Sequence, residues 1–329
     1  MILPSRPRRR VARRLTAAGI LLLGLAGCAT PQLQALLDTA SPALPQRAEL
    51  DAVPFYAQDE YQCGPAALAM VLEAGGKVIQ PEVLRPQVYL PDRQGSLQVE
   101  MLAAARRNGF VAVELNPKLS DLLAEIAAGN PAVVLQNLAL DWYPVWHYAV
   151  AIGYDLNARQ IVLRSGTERR LEMPLSTFER TWQRGGYWAM LALPPGRFPA
   201  SAGAAEYLSA VTKLEKAGPL ESAQAAYQSA LERWPDQFTA LIGAGNTAYR
   251  AGDFVGAERA FRRATMVYPR SAAAHNNLAQ TLADLDRYDE ALTEARLAVG
   301  LGGPLEDASI RTLDAIVKRT GRGEQEWNK

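Results

Sequence analysis

The feature that most restricts how this chain of 329 residues can fold is a period of 34 residues in its C-terminal part. Gly218, Gly252 and Asp286 fall in register, as do Ala223, Ala257 and Ala291, and Ala230, Ala264 and Ala298. Tyr227 aligns with Phe261, and Trp234-Pro235 with Tyr268-Pro269. A period of this length means a helical pair copied along the chain. Small residues let the helices approach, aromatics fill the gaps between them, and proline ends each second helix. One copy cannot bury its apolar face alone, so the copies have to stack into an all-α solenoid.

The periodicity covers 203–302 and is similar to three tetratricopeptide repeats, with Glu306–Thr320 as a capping helix within the tail 303–329. A solenoid of this kind offers a concave groove for peptides or proteins, so the resemblance implies a protein partner. His275, at the start of a repeat helix, reads as scaffold. Asn246, Asn276 and Asn277 are candidates for gripping a bound backbone, or ordinary solvated helix residues. Residues 196–202, within the Pro/Gly-rich stretch that follows Leu193, read as a linker.

The opposite end has a different signature. Residues 1–27 carry six arginines and then the apolar run Ala17–Leu25, too short for a bilayer and proportioned like the core of a signal peptide. The run ends in Leu25-Ala26-Gly27-Cys28, which resembles a bacterial lipobox. The resemblance implies cleavage before Cys28, acylation of its thiol and attachment to a membrane. With alanine rather than aspartate at position 29, it implies the outer membrane, facing the periplasm. Residues 28–48, with Pro31, Pro42 and Pro45, read as a lipidated tether. Without the six arginines, 29 basic residues face 34 acidic ones, a net charge of −5, and no basic stripe interleaved with aromatics points to nucleic acid.

Between these ends, 49–195 alternates helical and strand patterns. The spacing predicts helices from Cys63, near Pro81–Pro86, over Leu97–Arg107, and over Asp121–Ala128 with Ser120 as its cap. Strands are expected at Phe110–Leu115, Ala132–Gln136, Trp146–Tyr154, Gln160–Arg164 and Tyr187–Leu193, the third and fourth joined by the turn Asp155–Ala158. Helices first and an antiparallel sheet later make an α+β domain.

Cysteine and histidine are scarce: Cys28 and Cys63, His147 and His275. That excludes a disulfide framework and leaves a His/Cys metal site short of ligands, so no metal or other cofactor is expected. If Cys28 is acylated, Cys63 is the free thiol of the mature chain. The run Ala66–Leu72 has strong helix formers, and Pro65 suits a helix start. Cys63 then sits at the first turn, where the helix dipole and orphan N–H groups lower a thiol's pKa and can hold an oxyanion. A thiolate needs a base, and His147 is the histidine of its domain. Each residue also has a plainer reading, Cys63 as a small buried side chain and His147 as a satisfied strand residue.

Val53-Pro54-Phe55, Gln58, Gln62-Cys63-Gly64-Pro65-Ala66-Ala67-Leu68 and, downstream, Trp146-His147-Tyr148-Ala149-Val150 together resemble the papain-like double-glycine leader peptidases that process bacteriocins. The similarity spans about residues 50–193. It implies a papain-like cysteine peptidase domain in front of the solenoid, with Cys63 as nucleophile, His147 as general base and Gln58 in the oxyanion hole. Where the family carries an Asp followed by Pro to orient the imidazole, this chain has Ser165-Gly166-Thr167, so Ser165 is the candidate orienter. Trp142, Tyr143 and Trp146 could wall a peptide cleft, or pack as loop aromatics.

After the apolar N-terminal run no stretch approaches 18 apolar residues, and no Gly-x-x-x-x-Gly-Lys-Ser/Thr loop is present. The domain is therefore not joined to an export motor, and double-glycine specificity is not implied. The expected activity is cleavage of a peptide or protein substrate, with the repeats recruiting substrate or partner. The alternatives are a degenerate domain that only binds peptides and a transferase that uses the same dyad.

Overall fold

The structure, a computed structural model, describes residues 30–38, 44–58 and 62–320. The expected signal peptide, Cys28 and the residues after Thr320 lie outside the described residues.

In chain order the first domain contains α1 (Pro31–Asp38), β1 (Arg47–Glu49), α2 (Cys63–Ala74), α3 (Pro81–Val88), the ribbon β2 (Tyr89–Leu90) and β3 (Gly95–Ser96), α4 (Gln98–Arg107) and β4 (Val111–Glu114). It continues with α5 (Leu119–Ala127), β5 (Ala132–Asn137), β6 (Trp146–Asp155), β7 (Gln160–Ser165), β8 (Glu168–Pro174), α6 (Leu175–Arg184) and β9 (Ala189–Leu193). One antiparallel sheet runs β4-β9-β5-β6-β7-β8, and β1 pairs with the far half of β6. This is the α+β architecture expected from the sequence.

Both faces of the sheet are covered, which is why β5 and β9 are buried at every position instead of alternating. On one face Val133, Leu135, Val150 and Ile152 meet α2, α3 and α4. On the other, Ala132, Val134, Ala149 and Ala151 meet α5 and α6. Burying each Val, Leu or Ile contributes about 1.5–3 kcal/mol relative to leaving it exposed.

Two expected loose segments are held firmly. The tether contains α1, whose first N–H groups lack helical partners. The buried Glu179 carboxylate supplies them, accepting from Gln32 N at 2.9 Å and Leu33 N at 2.8 Å. Gln32 Oε1 in turn accepts Leu119 N at 2.6 Å, so α5 starts at Leu119 and is capped from another helix. Ser120 is not its cap; its Oγ donates to Asp121 Oδ1. The linker is pinned as well. Arg197 donates to Asn130 Oδ1 and Gly129 O, while Ala200 N and Ser201 N donate to the fully buried Glu125 carboxylate at 3.1 and 2.8 Å.

Beyond it lie α7 (Ala204–Ala217), α8 (Leu220–Arg233), α9 (Phe238–Arg250), α10 (Phe254–Val267), α11 (Ala272–Asp284), α12 (Tyr288–Leu301) and α13 (Glu306–Thr320). The in-register alanines Ala223, Ala230, Ala257, Ala264, Ala291 and Ala298 are all fully buried, with Tyr227 and Phe261 between the helices. The repeats do not hang free of the sheet. Tyr207, Leu208, Val211 and Leu214 of α7 join one continuous core with Val111, Val113, Leu191 and Leu193 of the sheet. Gly218 permits the contact at its tightest point, since a Cβ there would lie 2.4 Å from Arg106 O. His275 is scaffold in its contacts: Nδ1 bonds Glu294 Oε2 at 2.6 Å and Nε2 donates to Pro269 O at 3.0 Å. Asn277 Nδ2 donates to Asn246 Oδ1 and Asn276 Nδ2 to Asn277 Oδ1, so the three amides form one chain across α9 and α11.

Candidate active site

Cys63 is the first residue of α2, and Gly64 through Leu72 behind it are all buried. The helix is fixed by its surroundings on every side, so its N-terminus is a rigid support. Gly64 is needed there, because a Cβ would come within 2.2 Å of Ser96 Oγ on β3. The N–H groups of Tyr148, Gly64 and Cys63 itself face the thiol and favour the thiolate, but burial outweighs them and pushes the Cys63 pKa up. The lowered pKa expected for a helix-start thiol is therefore not what this site has. Desolvation exceeds these backbone hydrogen bonds.

His147 stands near the start of β6, the residue before Tyr148. Its Nε2 lies 2.8 Å from Ser165 Oγ at the end of β7. The serine that replaces the family's aspartate thus reaches the ring, as a neutral partner. Burial holds the His147 pKa below the ordinary histidine value. No hydrogen bond joins the imidazole to Cys63 Sγ among the described residues. Both side chains line one cleft, and Nδ1 is the ring nitrogen left for a thiol proton. The half-buried thiol has a raised pKa and the imidazole on the same cleft a lowered one, and both directions favour the neutral pair.

Gln58 is buried and ties the two strands of the site together. Its backbone N donates to Gly166 O and its Oε1 accepts Gly166 N, both at 3.0 Å. Its Nε2 donates one hydrogen to Tyr148 O at 3.3 Å, leaving the second for another acceptor. The two hydrogen bonds to Gly166 also fix the turn that carries Ser165, a function the sequence did not disclose.

The cleft has a volume of 1160 Å³. One wall is the segment 93–98 around β3; the other combines 143–148 with 184–186. Tyr143 and Trp146 line it, whereas Trp142 points into solvent at 80% exposure and does not. The sequence reading missed Ser96, whose buried Oγ has no partner, and the arginines Arg93 and Arg184. No pattern marks them, since loops and element ends bring them in. Among the described residues no cluster of His, Cys, Asp and Glu could hold a metal ion.

Residues 50–190 match the Peptidase_C39 like family, and 208–265 and 242–304 match the tetratricopeptide repeat. No curated protein matches the chain significantly. Among solved structures, a C39-like peptidase from Bacillus anthracis is 19% identical over 45% of this chain and 98% of that one, with a TM-score of 0.39. MamA is 20% identical over 31% of this chain and 59% of its own, with a TM-score of 0.29. The first TPR of Spaghetti, bound to an HSP90 peptide, is 16% identical over 36% and 90%, with a TM-score of 0.32. At these scores the overlays carry no weight of their own.

Proposed function

We propose that this chain, a C39-like peptidase domain followed by tetratricopeptide repeats, is a cysteine peptidase anchored by lipid on Cys28 to the outer membrane and facing the periplasm. The observation that carries the reading is the 2.8 Å contact between His147 Nε2 and Ser165 Oγ in a cleft shared with Cys63. With Nε2–H donating to the serine, the Nδ1 lone pair takes the thiol proton as Sγ attacks the substrate carbonyl. The second Nε2–H of Gln58 and the backbone N–H of Cys63 are the donors for the oxyanion. Imidazolium then protonates the leaving amine, and water, deprotonated by the same nitrogen, hydrolyses the thioester.

The repeats, of a kind that generally mediates protein–protein interactions, recruit substrate or partner. If Cys28 is acylated, only Ala29 and Thr30 separate the lipid from α1, which holds the cleft close to the bilayer. A peptide-binding domain without turnover is the second reading, favoured by the neutral orienter and by the lack of a bond from Sγ to the ring. A thiol-reactive peptide probe separates the two. Rapid labelling of the native protein, slowed in His147→Ala and absent in Cys63→Ala, supports the peptidase. Equal slow labelling of the native and His147→Ala proteins overturns it.

A further inference from the structure

The charge lining the cleft is one-sided. Its walls hold Arg93 and Arg184 and no aspartate or glutamate. Asp92 and Asp141 neighbour the lining segments in sequence but do not line the cavity. Each arginine also lacks an acidic partner among the described residues, in a chain where many guanidinium groups are paired with carboxylates.

Arg184 is half-buried at the last turn of α6. Its Nε and Nη2 donate to Asn137 O at 3.2 and 3.0 Å, which fixes the plane of the guanidinium and leaves Nη1 unpartnered. Holding a half-buried cation without a counter-ion costs free energy, and a bound anion recovers it. Arg93 is exposed and forms no bond within the protein, so it can meet a ligand on entry without giving anything up. In the wall that carries Arg93, the buried Ser96 Oγ is unpartnered beside the helix start that carries Cys63.

We propose that this cleft selects substrates through a carboxylate, bound by Arg184 in place and first met by Arg93. The inference rests on the reading of the cleft as a peptide site and adds the chemical class of the peptide: one bearing an acidic side chain near the scissile bond, or a free C-terminal carboxylate. The two sources share one chemistry and differ in the kind of cleavage they allow. An acidic side chain lets the enzyme cut within a chain; a required terminal carboxylate confines it to chain ends.

Binding tests this independently of turnover. The full chain carrying Cys63→Ala is incubated with an equimolar random octapeptide library and, separately, with the same library amidated at its C-terminus. Retained peptides are sequenced by mass spectrometry. Enrichment of Asp or Glu in both libraries supports a side-chain carboxylate; retention from the free-acid library alone supports a terminal one. In the same background, Arg184→Gln should weaken the best peptide about ten- to hundredfold, as for a lost charged hydrogen bond. Arg93→Gln, an exposed pair, should weaken it about two- to fivefold. Should Arg184→Gln fail to fold after losing its hold on Asn137, Arg93→Gln decides, because it disturbs no bond within the protein. An absence of acidic preference, or a preference unchanged by the arginine substitutions, overturns the proposal. Carboxylate-dependent binding without cleavage by the native protein would defeat the peptidase reading alone. Cleavage indifferent to acidic groups would defeat this one alone.

Discussion

The solenoid and the cleft are built by opposite rules. In the repeats, key packing positions are used again 34 residues later by small or aromatic apolar side chains: Ala223, Ala257 and Ala291, or Tyr227 and Phe261. In the cleft nothing repeats. Gln58, Ser96 and His147 line it from separate segments and Ser165 backs His147 from a fourth; the bonds of Gln58, His147 and Ser165 run across the sheet and its loops. Loss of a repeated packing residue opens a cavity and lowers stability. A substitution in the one-copy constellation should instead remove chemistry while sparing the fold.

The sharpest break in that comparison is Cys63→Ser. Peptide cleavage should fall by about 10⁴-fold or more, as when one member of a catalytic unit is removed, with the thermal midpoint nearly unchanged. A large fall in the midpoint would make Cys63 a packing residue. Next is Tyr227→Ala, which opens a cavity in the core that α7 and α8 share with the sheet and should cost about 3–5 kcal/mol. Calorimetry should show the whole chain shifting as one transition; two separated transitions would mean the domains are independent.

A smaller effect is expected from Glu125→Ala, which strands the N–H groups of Ala200 and Ser201 and should cost about 1–3 kcal/mol. Limited proteolysis should then nick 196–202 first, and unchanged resistance would mean that the carboxylate does not hold the linker. The mildest concerns Glu49, whose carboxyl is held at about 2, chiefly by its bond to Arg170. A lowered folded-state pKa contributes stability above the ordinary carboxylate range of about 4.3 and loses it as the pH falls through about 2. Amide exchange in β1 should therefore quicken across that window, and Arg170→Gln, which leaves Glu49 only Arg47, should weaken the dependence. The same profile in both proteins would contradict the pairing.

Legibility followed the same division. The 34-residue period shows in the sequence because it is packing written more than once, and the strands around His147 show because of apolar runs such as Ala132–Leu135 and Tyr148–Ile152. The Cys-Gly-Pro-Ala-Ala start of α2 was readable for a different reason: nucleophile, small residue and helix start have to be adjacent in sequence. What escaped is long-range. The segment Pro31–Asp38 carries Pro31 at its start and Leu33, Leu36 and Leu37 on one face, yet its seat depends on Glu179, far along the chain. β8 and α6 escaped too, β8 because its charged face, Glu168-Arg169-Arg170, lies open to solvent and breaks the apolar pattern. The raised pKa of Cys63 was hidden for a physical reason. A helix start is local and favours the thiolate, whereas desolvation depends on everything packed around it.

The central claim is that a neutral imidazole, turned by a serine, serves a half-buried thiol. With two histidines in the chain, nitrogen-15 spectra of the imidazoles read this directly. The account predicts that His147 is the Nε2–H tautomer at neutral pH, titrates below the ordinary value of about 6.5, and loses its tautomeric preference in Ser165→Ala. An Nδ1–H tautomer, or titration at or above that value, would contradict it.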